Sequence, residues 1–219
     1  MRVLEKACLS LTQLLISVDG VPEGFRTWTH LYDVHDNGTT ISLPGINEIW
    51  GPGAEIVVTS ADRRWDGDQT RTIRNVSIAT SRSATSLTQL QLNNPLEGNP
   101  TTLIQSDDFA VEVALVSRNI LIQGETGGGG AHFWVFQTPH VRQLVRGIQV
   151  QNFGQQGTLG RYPIHFHLCR DVSGSIVAQN TVSRSNQRCV VVHGTDNLLV
   201  EENVAFDTKG HCFLVEDVS

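Results

Sequence analysis

Large apolar side chains are in short supply in this chain. Aromatic residues make up 6% of its 219 positions, methionine occurs once, and hydrophobic residues reach only 39%. No helical period persists anywhere, which excludes a bundle of amphipathic helices as the organising element. Basic charge is also scarce: 16 Lys and Arg stand against 22 Asp and Glu, a net charge of −6. Without a basic stripe to displace counterions, nucleic acid is set aside as a partner. The deficit is concentrated in residues 1–138, with 9 basic against 15 acidic residues, while residues 139–219 balance at 7 and 7. An acidic polymer is repelled by the first part and tolerated by the second, which leans any site for such a ligand toward the second.

Cysteine is equally sparse. Cys8, Cys169, Cys189 and Cys212 contain no CxxC pair, so neither a paired zinc site nor a disulfide-dense miniprotein fits. The apolar stretch Leu9 to Val18 is too short to cross a bilayer, and no membrane span is expected. With Arg2 and Lys6 ahead of it, that stretch has the outline of a secretion signal, although Glu5 lies in the basic region and no clear small-residue cleavage site comes after it. Residues 1–24 are read as a leader or a partial strand. The run Gly127 to Gly130 lacks the Lys-Ser/Thr ending of a phosphate loop and reads as a turn.

What the chain has instead is glycine, 20 residues of it, and short strand-like runs between turn clusters. Residues 25–114 read as irregular β structure, with strands such as Glu55 to Thr59 and Thr72 to Ile78, leading into a solenoid or capping it. From residue 115 to 219 the sequence repeats itself. Ile148 to Phe153, Ile176 to Val182 and Leu199 to Val204 align on Asn152, Asn180 and Asn203, and Ile120 to Gly124 aligns with glycine in that place, at steps of 28, 28 and 23 residues. Such a period predicts a parallel β-helix whose coils stack about 4.8 Å apart. Stacked asparagines at a turn bond to one another and to the backbone.

A second register supports this geometry. Tyr162 to Leu168, Arg188 to Gly194 and His211 to Asp217 align without gaps. Side chains alternate across a strand, so Ile164, Val190 and Phe213 form one inward column and Phe166, Val192 and Val215 the next. The outward columns are then Pro163/Cys189/Cys212, His165/Val191/Leu214 and His167/His193/Glu216. The fold class expected is all-β, a right-handed parallel β-helix.

This register gathers the candidate chemistry on one outer patch. His165, His167, His193 and Glu216, with Asp207, are the candidate catalytic residues, because imidazoles and a carboxylate move protons near neutral pH. His167, His193 and Glu216 are the candidate ligands for a divalent metal. Arg161, Arg188 and His211 border the same strands and suit an anionic sugar. The competing reading is a structural polar stack. Cys189 and Cys212 lie one coil apart, within reach of a disulfide, which would put the protein in an extracellular compartment; two stacked thiols are the alternative. Asn37 and Asn75 head glycosylation sequons.

The segments Thr27 to Leu31, Trp50-Gly51-Pro52-Gly53 with Ile56 to Ser60, Leu159 to Leu168, Arg188 to Thr195 and Gly210 to Asp217 resemble the family of cell-migration-inducing hyaluronan-binding protein, the transmembrane cell-surface hyaluronidase and the fibrocystin-like receptors. The resemblance runs from about Phe25 onward and puts this chain downstream of the family's eight-glycine domain, as part of a longer protein. Ala54 departs from the pattern, standing where the family has aspartate. The resemblance implies an extracellular or cell-surface location and hyaluronan binding or depolymerisation, with calcium in some members. For the fibrocystin-like members it implies a receptor or adhesion role without known catalysis. A glycosidase needs two carboxyl groups about 5–9.5 Å apart across the bond. Glu216 and Asp217 are neighbours on a strand and point to opposite faces, so a second carboxylate has to come from Asp207, Asp171 or elsewhere.

Overall fold

The computed structural model describes residues 8–11, 17–45, 50–60, 66–80, 86–98, 111–127 and 129–216. The chain divides into two compact units, one made of residues 1–22 with 118–219, the other of residues 23–117.

The first unit is a parallel β-helix with three faces. One face stacks Cys8–Leu11, His132–Phe136, Ile164–Asp171, Val190–Asp196 and Phe213–Glu216. The second stacks Ser17–Asp19, Leu144–Arg146, Ile176–Ala178 and Leu199–Glu201, and the third Ile120–Gln123, Ile148–Gln151, Thr181–Ser183 and Val204–Phe206. Every pairing within these faces is parallel. The interior is filled by β-branched and aromatic residues from all three faces, among them Val135, Val145, Val150, Ile164, Phe166, Val177 and Val182. Strict alternation explains why these segments are strands: each carries one apolar column inward and leaves the next residue outside.

The first coil is interrupted. Its first two strands come from Cys8–Leu11 and Ser17–Asp19, and its third from Ile120–Gln123. Asp19 holds Arg146 through two hydrogen bonds of 2.8 and 2.6 Å, fixing the N-terminal segment to the second face. The stretch read as a leader or a partial strand contributes two strands to the solenoid; its residues 1–7 and 12–16 lie outside the described residues.

Between those strands the chain forms the second unit, which is not a set of further coils. It is a seven-stranded antiparallel sheet in the order Trp28–His30, Glu112–Leu115, Glu55–Val58, Gln69–Thr80, Ser86–Leu92, Thr40–Pro44, Asp33–His35. Trp50 is fully buried in it, its indole N–H donating to the Arg26 carbonyl at 2.9 Å. The turn clusters read between its strands are hairpin and loop connections, which Gly, Pro and Asn suit.

The asparagine alignment needs one correction. Asn180 and Asn203 do occupy adjacent rungs, with the Asn180 amide donating to Asn203 Oδ1 at 2.9 Å and to the Val145 carbonyl at 2.9 Å. The rung on the other side of Asn180 is held by Ile148, whose N–H donates to Asn180 Oδ1 at 3.1 Å, and not by Asn152. Ile148–Gln151 stacks on Thr181–Ser183, whereas Ile176–Ala178 stacks on Leu144–Arg146, a different face. The string follows a third-face strand at Asn152 and second-face strands at Asn180 and Asn203, so the string alone does not say which face it lies on.

Candidate functional site

The outer surface of the first face carries the site. His165 and His167 alternate with Ile164 and Phe166, both buried in the core, so the imidazoles point outward. The pairings Ile164↔Val190↔Phe213, His165↔Val191↔Leu214, Phe166↔Val192↔Val215 and His167↔His193↔Glu216 reproduce the register read from the sequence. Phe213 and Val215 keep their columns but are 52% and 81% exposed, because the last coil has no rung beyond it among the described residues. A concavity of about 390 Å³ opens there against Val190 and Val192.

Six rings converge on the patch. His167 Nδ1 lies 2.9 Å from His193 Nδ1, with ring centres 4.6 Å apart. His165 sits parallel to Trp134 on one side and to His193 on the other, at 6.2 and 6.4 Å. Phe136 stacks on His167 at 5.5 Å, and Tyr162 meets His165 at 4.9 Å. Although it faces outward, His165 is only 2% exposed. Its Nδ1 lies 2.8 Å from the Gly160 carbonyl, a contact that requires Nδ1 to carry the proton. Gly160, at φ +83°, allows the turn that presents this carbonyl.

Burial sets the protonation of the patch. It pushes the His165 pKa down to about 4, against the opposing pull of the Gly160 bond and with a further push from His167 and His193. His167 is also lowered, first by burial and then by His193, with Glu216 pulling the other way. These two imidazoles are therefore neutral at pH 7, each with one unprotonated ring nitrogen, the form that accepts protons or ligates cations.

The remaining expected residues divide. Glu216 takes its place in the His167/His193 column, but its carboxylate accepts a 2.5 Å hydrogen bond from Arg188, which also donates to Tyr162 Oη at 3.0 Å and lies over the Tyr162 ring. The close-set trio is thus His165, His167 and His193, one nitrogen from each lying within 4.8 Å of the others, and Glu216 is not part of it. Asp207 follows the third-face strand Val204–Phe206 and faces Arg184 at 3.9 Å, so it does not join the histidines. Arg161 is exposed and bonds Gln155, and His211 is exposed just before the last strand. Asp171 is engaged by Ser173 and Asn197. Asp217 lies outside the described residues. Cys189 and Cys212 are joined as a disulfide, and Cys169 is a free, buried thiol. Asn37 and Asn75 are exposed, on a turn and on a strand of the antiparallel unit.

Sequence reasoning missed His132, Trp134 and Phe136 as parts of this face, and Tyr162, although in the aligned segment, as a ring against His165. The signal was present: His132–Phe136 alternates as the later strands do and pairs with Ile164 to His167. The connection to the next coil is longer there, so the segment does not fall on the shorter period.

Residues 128–219 match the family described as the CEMIP β-helix. This β-helix belongs to the CEMIP family. The cell surface hyaluronidase of Danio rerio is 33% identical over 189 residues, covering 77% of this chain and 13% of that protein. The human cell surface hyaluronidase CEMIP2 is 31% identical over 227 residues, covering 91% of this chain and 15% of that protein. A G8 domain-containing protein of Dictyostelium discoideum is 31% identical over 205 residues, covering 92% and 17%. The chain therefore spans less than a fifth of the length of each of these relatives. Among the described residues no helix is long and apolar enough to cross a membrane.

Proposed function

We propose that this chain is the glycan-handling part of an extracellular or cell-surface protein, and that the ring-lined outer face of its β-helix takes an anionic polysaccharide of the hyaluronan type. The observation that carries the reading is the ring cluster itself: Trp134 and Phe136 pack against His165 and His167, and His167 against His193, as one ring-lined surface. Aromatic faces stack on the apolar faces of sugar rings, and neutral imidazoles supply polar contacts at the same spot. The names of the relatives, cell surface hyaluronidase in fish and human, agree with such a ligand. The Cys189–Cys212 disulfide agrees with an oxidising compartment.

A binding role without turnover is the second reading, and one observation favours it. Among the described residues no pair of free carboxylates stands beside the three histidines: Glu216 is bonded to Arg188, and Asp207 lies on the third face, 3.9 Å from Arg184. Cleavage by these described residues would run through the imidazoles. Incubation of the purified chain with size-defined hyaluronan, with calcium and with EDTA, separates the readings. Shortening that His193→Gln abolishes supports the enzyme. Retention of the polymer without shortening supports the binding module. A result with neither retention nor shortening of the polymer would refute a hyaluronan-type ligand for this chain.

A further inference from the structure

We propose that His165, His167 and His193 form a three-histidine site for a transition cation of the zinc class, and that calcium is not its ion. The site lies on the face assigned above to a polysaccharide, and rests on that assignment only for what a bound cation would act upon.

Three observations lead here. First, one nitrogen from each ring lies within 4.8 Å of the other two, and the rings are carried by adjacent parallel strands in fixed register. Rigid strands hold ligands in place better than loops do. Second, His165 is oriented as a ligand. Its Nδ1–H is spent on the Gly160 carbonyl, leaving Nε2 with the lone pair, and Nε2 is buried with no hydrogen-bond partner among the described residues. A buried acceptor left unsatisfied is destabilising, and a backbone carbonyl on the far nitrogen is the usual support of a metal-bound imidazole. Third, His167 and His193 bring like nitrogens to 2.9 Å. Two lone pairs at that distance repel unless a proton or a cation lies between them.

The spacing fits one small ion. Tetrahedral coordination at about 2.0–2.1 Å puts ligand nitrogens about 3.3 Å apart; here one nitrogen from each ring lies within 4.8 Å of the other two, and the His167 and His193 Nδ1 atoms are 2.9 Å apart. Modest side-chain rotation closes the difference. Three protein nitrogens leave a fourth position for water or a substrate oxygen. Calcium instead takes six to eight oxygen ligands. The carboxylate in the neighbouring column, Glu216, is bonded to Arg188, so the donor set favours imidazole-binding metals.

The test uses the full chain without any added histidine tag, stripped with EDTA and titrated with Co2+ and with Zn2+ in the absence of glycan. The expected result is one equivalent of Co2+ producing visible d–d absorption, displaced by Zn2+ and untouched by excess Ca2+. His167→Gln and His193→Gln are each expected to weaken binding by more than about tenfold, with unchanged circular dichroism. His30→Gln, at an exposed histidine of the antiparallel unit, leaves binding unchanged. Absence of the cobalt spectrum, displacement by Ca2+, or binding that survives both substitutions would overturn the proposal. The readout involves no polysaccharide, so a failure of the hyaluronan reading leaves it standing, and the reverse also holds.

Discussion

His165 is a polar residue at an outward position that the surrounding rings have nevertheless removed from water. Its outward parity was legible in the sequence, because a strand with Ile164 and Phe166 inside has no other way to place it. Its burial was not legible, because one cover, Trp134, comes from the preceding coil, and the others, Tyr162 and the Gly160 turn, fold back over the ring in a way that strand parity does not report. The same holds for His132, buried at the start of the strand that carries Trp134, with its pKa lowered by burial and then by Arg161. Both histidines make acid costly. An unfolded chain takes up their protons near pH 6.5, whereas folded His165 does so only at about 4. The unfolded state binds more protons in that window, so stability is fully present above pH 6.5 and falls as pH drops toward 4. The His165 contribution to the loss is on the order of 3 kcal/mol. Urea denaturation of the EDTA-treated protein at pH 7.5, 6 and 4.5 measures it. A denaturation midpoint that does not move across that range would show that His165 is protonated as easily in the fold as outside it.

At the level of the strand, register was the most legible property of all. A slip of one residue turns every side chain to the opposite face, and here it would expose two wholly apolar columns. Columns fixed in this way do not say how well each rung is covered, and coverage decides energetics. Phe166 is fully buried, while Val215, two rungs along the same column, is 81% exposed. Phe166→Ala is therefore expected to cost about 3–5 kcal/mol, and Val215→Ala less than about 0.5 kcal/mol. Equilibrium unfolding of the two variants checks this, and equal losses would mean that the last coil is packed as tightly as the middle one. The choice among the three faces was the illegible part. Asn152, Asn180 and Asn203 follow similar strings, yet Asn152 follows a third-face strand and the other two follow second-face strands. Periodicity reports which way a side chain points, and reports poorly on where a corner falls.

For the molecule as a whole, the sequence announced a solenoid because repetition is a property of solenoids, and it concealed the antiparallel unit because that unit repeats nothing. The two units use the same vocabulary of short strands and turn residues, so residues 25–114 looked like an irregular stretch of the same structure. Stability in a stacked fold is close to a sum over neighbouring rungs. Strands Leu199–Glu201, Val204–Phe206 and Phe213–Glu216 should accordingly exchange their amide hydrogens faster than Ile164–Asp171 and Ile176–Ala178 beneath them. Hydrogen exchange followed by mass spectrometry resolves these segments, and uniform protection would mean that the coils open together. The interrupted first coil bears on how the chain is made. Asp19 meets its partner Arg146 across a separation of 127 residues, and at about 5–20 residues per second a ribosome spends several seconds adding what lies between. Throughout that interval the segments Cys8–Leu11 and Ser17–Asp19 lack the strands they pair with here. Those strands, His132–Phe136 and Leu144–Arg146, are synthesised only after the whole antiparallel unit, so these two pairings are late additions to the solenoid.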